Sequence, residues 1–159
     1  MLKRVKGDLI KLVYEDNFDV IVHGCNCYNS MGAGIARSIA NSFPQAEEAD
    51  RKTMAGDYNK LGNYTKATGF ADPMNSFQII NAYTQYGYDA RKGVDVFEYL
   101  SFELILQKLE YEFPKARFGL PCIGMGLAGG NKDVIISQIE LFASRITATG
   151  GSVTLVEFS

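Results

Sequence analysis

Apolar and polar positions alternate along the chain in short β-like runs and helical stripes. Residues 2–6 read as a short strand, and residues 19–25 (DVIVHGC) form a near-continuous apolar run of the kind buried on both faces of a parallel sheet. After a glycine-bearing turn the pattern becomes helical over about 35–43, where Pro44 interrupts it, and the polar residues 45–55 read as helix or loop. Two segments with β-branched and aromatic content, 63–70 and 77–83, flank the turn-forming ADPMNS. Over 94–113 the apolar positions Phe97, Leu100, Leu104 and Leu109 recur at three-to-four spacing, which predicts an amphipathic helix. A strand is predicted over 117–123, a helix over 133–147 with Ile135, Ile139, Phe142 and Ile146 on one face, and a closing strand over 152–158. Such alternation predicts an α/β fold with a mostly parallel sheet covered by helices on both sides.

The length of 159 residues suits one domain over the whole chain, and no repeat, low-complexity tract or linker divides it. With 47% apolar and 21% charged residues the composition excludes a disordered tail. A net charge of −2 leaves no surplus of Lys and Arg to displace counterions, so general nucleic-acid binding is not expected. No stretch approaches the roughly 18 apolar residues of a membrane span, and MLKRVKGDLIKLV lacks the uninterrupted core of a signal peptide. A cytoplasmic location follows as the expectation, with no membrane contact. There the odd set of Cys25, Cys27 and Cys122 should be free thiols.

The informative features are two glycine loops, Ser30-Met31-Gly32-Ala33-Gly34-Ile35 and Gly124-Met125-Gly126-Leu127-Ala128-Gly129-Gly130. Each leaves a predicted strand and enters a predicted helix. Glycine there lets main-chain N–H groups approach a ligand, and a helix N-terminus adds unpaired donors, so each loop is a candidate anion site. At the carboxyl ends of strands in one open sheet, both would flank the crevice where α/β proteins bind ligands. Simple turn punctuation is the competing explanation. The second loop spells G-x-G-x-x-G, but too little chain follows it for a dinucleotide-binding fold, and neither loop carries the Gly-Lys-Ser/Thr ending of a Walker-type phosphate loop.

Gly7-Asp8-Leu9-Ile10, the run Val20-Ile21-Val22-His23-Gly24-Cys25-Asn26-Cys27, Met31-Gly32-Ala33-Gly34-Ile35-Ala36 and Pro121 through Gly130, in this order and spacing, resemble a macrodomain. The branch most resembled is the ADP-ribose 1''-phosphate phosphatase type. The resemblance implies a three-layer α/β/α sandwich around a mixed, mostly parallel sheet, and ADP-ribose or its 1''-phosphate as the small-molecule partner. It implies that Asp8 accepts from the adenine amino group with the main chain of Leu9 beside it, and Gly7 belongs to the same implied ligand-binding set. By the same resemblance Asn26 contacts the distal ribose, while Gly32–Ile35 and Gly124–Leu127, Met125 among them, grip the diphosphate from opposite sides. The flanking Ser30, Met31, Pro121, Cys122 and Ile123 complete the implied ligand-binding set, and Phe158 is the residue chosen to pack on the adenine, with Tyr83 and Tyr86 as alternatives.

His23 is the only histidine, two residues before Cys25 and four before Cys27. Strand alternation would put the three on one face, which raises a metal site, but C-x-C with one histidine is not a closed zinc spacing; no metal and no cofactor are expected. A core histidine held by a main-chain carbonyl is one reading of His23. The sharper reading, which the phosphatase branch supports, makes His23 catalytic, with Asn26 beside it at the distal ribose. In the polar stretch 85–95, Arg91 could pair with a terminal phosphate and Asp95 could serve as acid or base or cap the next helix. Cys122 reads as packing at a buried strand end. The macrodomain mechanism through a lysine adduct would need Lys near Gln85 and Asp near Ala128, and the chain has neither. The expected activity is hydrolysis of ADP-ribose 1''-phosphate by a monomer, the alternatives being removal of ADP-ribose from protein or nucleic acid and binding without turnover.

Overall fold

The computed structural model describes residues 1–88, 96–126 and 128–158. Chain order gives β1 (Leu2–Gly7), α1 (Leu9–Tyr14), β2 (Val20–Cys25), α2 (Gly34–Ser42), α3 (Pro44–Arg51), a single 3₁₀ turn at Tyr58–Lys60, β3 (Tyr64–Asp72), β4 (Asn75–Tyr83), α4 (Tyr99–Glu112), β5 (Arg117–Leu120), α5 (Lys132–Ala148) and β6 (Ser152–Phe158). The six strands form one sheet in the order β1-β6-β5-β2-β4-β3, parallel throughout except where the edge strand β3 runs antiparallel to β4.

Period-two alternation divides the core. Val20 and Val22 of β2, Phe118 and Leu120 of β5 and Val153 and Leu155 of β6 face α4 and α5, while Ile21 of β2, Ile79 of β4 and Val156 of β6 face α1, α2 and α3. The result is the expected three-layer α/β/α sandwich. The strands carrying the glycine loops, β2 and β5, are neighbours with Val20 opposite Phe118. At their amino ends the Arg117 guanidinium donates from Nε and Nη2 to the two oxygens of Asp19, at 3.1 and 2.8 Å. This bidentate pair sets the register, so the loops leave the opposite edge side by side.

Several boundaries differ from the sequence reading. β5 stops at Leu120 because Pro121 has no N–H for the ladder. α1 was not predicted; it is six residues long, and its signal is the Asp8 cap, whose Oδ1 accepts from the amides of Ile10 and Lys11. On α4 the buried stripe is Phe102, Ile105, Leu106 and Leu109, while Leu100 and Leu104 face solvent. That helix carries apolar residues on both sides, and periodicity does not tell which side the sheet covers. On α5 the predicted face is the buried one: Ile135, Ile139, Phe142 and Ile146 are fully enclosed.

Candidate functional site

A cleft of about 600 Å³ opens at the carboxyl edge of the parallel strands. One wall is the β2–α2 loop with the first turn of α2, contributing Asn26, Ser30, Gly32, Ala33, Gly34 and Ile35. The facing wall is the loop after β5, contributing Pro121, Cys122, Ile123, Gly124 and Gly126. The two glycine loops therefore stand across one cavity.

Their backbone is built to be open. Gly34 has φ +59° and a Cβ there would meet nothing within 4 Å among the described residues, and the same holds at Gly126. Gly124 has φ +75°, and a Cβ would fall 2.3 Å from Cδ1 of buried Phe97. The amides of Gly32, Gly34, Ile35, Gly124 and Gly126 have no hydrogen-bond partner among the described residues. α2 has no side-chain cap and no acidic residue in its first turn. Its N-terminus therefore offers free donors and the positive end of a helix dipole, worth about 0.3–1 kcal/mol to an anion beyond the hydrogen bonds themselves. The second loop departs from the sequence expectation. Asn131 caps α5 by accepting from the amides of Asp133 and Val134, and Asp133 adds an acid to the first turn, so that helix end is already satisfied. Only the loop amides serve the cleft on this side. Among the described residues the walls hold no carboxylate, imidazole, ammonium or guanidinium. An anion here is met by oriented main-chain dipoles.

Asn26 lines the cleft on the β2–α2 side. Its Nδ2 donates to the carbonyl of Ser30 at 2.9 Å and its Oδ1 accepts from the amide of Tyr28 at 2.9 Å. The side chain shapes the loop and keeps one N–H and one lone pair for a ligand. Gly24, Cys25, Ala36, Gln85, Tyr88 and Ala128 also line the cleft and were not singled out as site residues. For Gly24 a signal exists: glycine inside an apolar strand marks a close approach, and a Cβ there would sit 2.9 Å from Oγ1 of Thr84.

His23 requires a correction. It lies two residues before the end of β2 on the face toward α3, is fully buried, and does not line the cleft. Its Nε2 donates to Oδ1 of Asn81 at 2.7 Å; the Asn81 amide nitrogen donates to the carbonyl of Ala46, which orients the oxygen toward the imidazole. Burial drives the His23 pKa down to about 4 although the Asn81 contact opposes it, so the ring is neutral at physiological pH. The partner is a side chain of a neighbouring strand, which periodicity along β2 alone does not reveal. The Sγ of Cys25 lies 3.8 Å from the ring, and burial pushes that thiol well above the ordinary range. Among the described residues no group of His, Cys, Asp and Glu is placed to hold a metal ion.

Of the other predicted positions, Gly7, Asp8, Leu9 and Phe158 sit at the same sheet edge beyond the cleft walls, with Gly7 opposite Phe158 in the β1–β6 register. Phe158 is 83% exposed. Met31 turns into the core on the α1–α3 side of the sheet, and Met125 packs against the core on the α4–α5 side. Of the alternative stacking residues, Tyr83 is buried with its hydroxyl donating to Asp50, and Tyr86 stacks on Tyr58 at 3.7 Å. Arg91, Asp95 and Leu127 lie outside the described residues. Cys122 is exposed on the cleft wall, where packing at a buried strand end had been expected; the strand ends before it. Cys25 and Cys27 are buried. A thiol reagent should therefore label one cysteine of the native protein quickly and the other two only on unfolding, as mass spectrometry of timed samples would show.

No protein-family model matches the sequence. A relative, the uncharacterized 17.5 kDa protein in the tk-vs intergenic region of Enterobacteria phage T4, is 32% identical over an alignment of 151 residues that covers 92% of this chain and 92% of that one. The chain belongs to the family of this phage protein. Solved structures share the architecture of this chain. The macrodomain of Mycobacterium tuberculosis DarG superposes with a TM-score of 0.73 at 16% identity, over 98% of this chain and 97% of that one. DarTG of Thermosipho africanus in complex with ADP-ribose superposes with a TM-score of 0.69 at 17% identity, over 98% of this chain and 41% of that chain. The fold is that of the macrodomains.

Proposed function

We propose that the cleft binds ADP-ribose, with the diphosphate between the amides of the two glycine loops and the distal ribose at Asn26 and Ser30. The observation that carries this is the pairing of two amide-rich loops across one cavity that has no charged side chain among its described walls. A diphosphate is the anion with two groups to offer two such walls, and each hydrogen bond to a charged oxygen contributes about 1.5–3 kcal/mol. The T. africanus structure, a complex with ADP-ribose, supports the same ligand. In this reading the adenine leaves the cleft toward Asp8 and Phe158, where the free Oδ2 of Asp8 is an acceptor and the exposed ring a stacking surface.

For turnover we propose hydrolysis of ADP-ribose 1''-phosphate, which the resemblance to the phosphatase branch supports. Asn26, Ser30, Gln85 and Tyr88 are polar side chains of the described walls available to the terminal phosphate. Arg91 as a phosphate ligand and Asp95 as acid or base stay proposals from the sequence, while His23 is assigned no contact with the substrate.

Calorimetric titration with ADP-ribose, ADP and NAD tests binding: ADP-ribose should bind most tightly and NAD most weakly, because NAD carries the nicotinamide on the distal ribose that Asn26 and Ser30 would hold. Phosphate release from ADP-ribose 1''-phosphate tests turnover. Binding without release would leave a binding module, and release of ADP-ribose from a modified macromolecule instead would replace the phosphatase by a hydrolase of such adducts.

A further inference from the structure

Behind the loop that forms the distal wall lies a buried ammonium. Lys60 is 7% exposed, and its Nζ donates to the carbonyl of Cys27 at 2.9 Å, to Oδ1 of Asn29 at 2.5 Å and to the carbonyl of Met54 at 3.2 Å. The ring centroid of Tyr83 lies 4.9 Å from the same nitrogen. Three donors thus meet three neutral acceptors, with an aromatic face beside them. Taking an ammonium out of water is costly; the charge of nearby buried Asp50 offsets part of that cost, but the three groups that accept its hydrogen bonds are neutral, a poor device for stability alone. Its contacts fix conformation. Cys27 and Asn29 belong to the β2–α2 loop, Met54 to the turn after α3, and the ammonium ties them to one point.

The loop has two faces. Asn26 and Ser30 look into the cleft, while Cys27 and Asn29 between them are held from behind. Asn29 stands at φ +57°, a left-handed conformation that costs a non-glycine residue free energy and needs support. That support is local: Asn29 Nδ2 donates to the carbonyl of Thr53 at 2.7 Å, Thr53 Oγ1 donates back to Asn29 Oδ1 at 3.0 Å, and the Gly56 amide donates to the Cys27 carbonyl at 2.7 Å. Lys60 joins these bonds at their centre.

We infer that Lys60 is a positioning residue for the distal-ribose end of the cleft: from outside the cavity, its ammonium sets the loop geometry that presents Asn26 and Ser30. This rests on the ADP-ribose reading above. It assigns Lys60 a role by subsite, because the first turn of α2 and the loop after β5, which meet the diphosphate, are not among its contacts.

The test compares ADP-ribose with ADP on the full chain. In Lys60→Met the affinity for ADP-ribose should fall at least tenfold while that for ADP changes less than threefold, so the preference for ADP-ribose collapses. A general loss of folded protein would lower both affinities in proportion and leave the preference intact. In Lys60→Ala, millimolar propylammonium should restore part of the preference by placing an ammonium among the same three acceptors. Should Lys60→Met fail to fold, Lys60→Arg serves, since a planar guanidinium keeps the charge but cannot converge three hydrogens on these acceptors. If the wild type binds neither nucleotide, the reading of the cleft falls and this role with it. If the wild type prefers ADP-ribose and a folded Lys60 variant keeps that preference, the positioning role alone is overturned.

Discussion

Gly126→Val should leave the fold at wild-type stability and weaken ADP-ribose binding at least a hundredfold, whereas Gly124→Ala, two residues earlier, should damage both. Each change adds a side chain to the same loop. Gly126 is not in the left-handed region, and a Cβ there meets nothing within 4 Å among the described residues, so the new side chain disturbs none of their packing. Substitutions on such a surface are usually neutral within about 0.5 kcal/mol. The residue does line the cleft, and methyl groups on that wall occupy the approach of a ligand to the loop amides. A hundredfold loss corresponds to about 2.7 kcal/mol, less than two charge-assisted hydrogen bonds. Gly124 is the opposite case. Its φ of +75° penalises any L side chain by about 1–2 kcal/mol. The added Cβ also falls 2.3 Å from a Phe97 ring that is already packed edge-on against Tyr99 and Phe102. Overpacking of that kind adds roughly 1–3 kcal/mol. Denaturant midpoints and calorimetric titration of both variants separate the two effects. Wild-type affinity in Gly126→Val would remove this loop from the ligand site.

How far the sequence reached depends on what each feature needs. The glycine loops were legible because glycine at a strand end is a local statement about backbone space, and the apolar strands imply that both loops leave one sheet edge. Asp8 and Asn131 were legible in principle as helix caps, since the signal lies within three residues. Of these, the Asn131 cap decides that one glycine loop, and not the other, is followed by a free helix end. Features that need a partner from a distant segment were out of reach. Nothing in the chain near His23 announces Asn81, which lies 58 positions away and opposite it across β2 and β4. Lys60 reads as one more surface charge in a polar stretch until the fold brings Cys27, Asn29 and Met54 around it. The stripe on α4 failed for a related reason, because its two apolar sides differ only in what the sheet covers.

His23 supplies the second large effect, an acid destabilisation that one substitution should remove. Its folded-state pKa is about 4 against an ordinary value of 6.5, so between these pH values the unfolded chain binds a proton that the folded chain does not. Stability therefore rises with pH across that window and is lost as pH falls from 6.5 toward 4, by about 3 kcal/mol at 1.36 kcal/mol per unit. Asp50, raised by its burial, acts with the opposite sign near the lower end, and Asp19, lowered chiefly by its hydrogen bond to Arg117, acts with the same sign in more acid solution. His23→Gln isolates the imidazole, because the glutamine amide can donate to Asn81 Oδ1 without carrying a titrating proton. Chemical denaturation at pH 4.5 and 6.5 should show a wild-type loss of about 2–3 kcal/mol that the variant largely lacks. Equal losses in the two proteins would mean that His23 is not held neutral by burial. The same variant bears on chemistry. A residue sealed behind the cleft wall should leave ADP-ribose affinity at pH 7 within about twofold and phosphate release without an inflection near pH 6.5, because imidazole titration lies below that range. If a stable His23→Gln binds ADP-ribose normally but releases no phosphate, the imidazole reaches the substrate after all, and the cleft must open toward α3 during turnover.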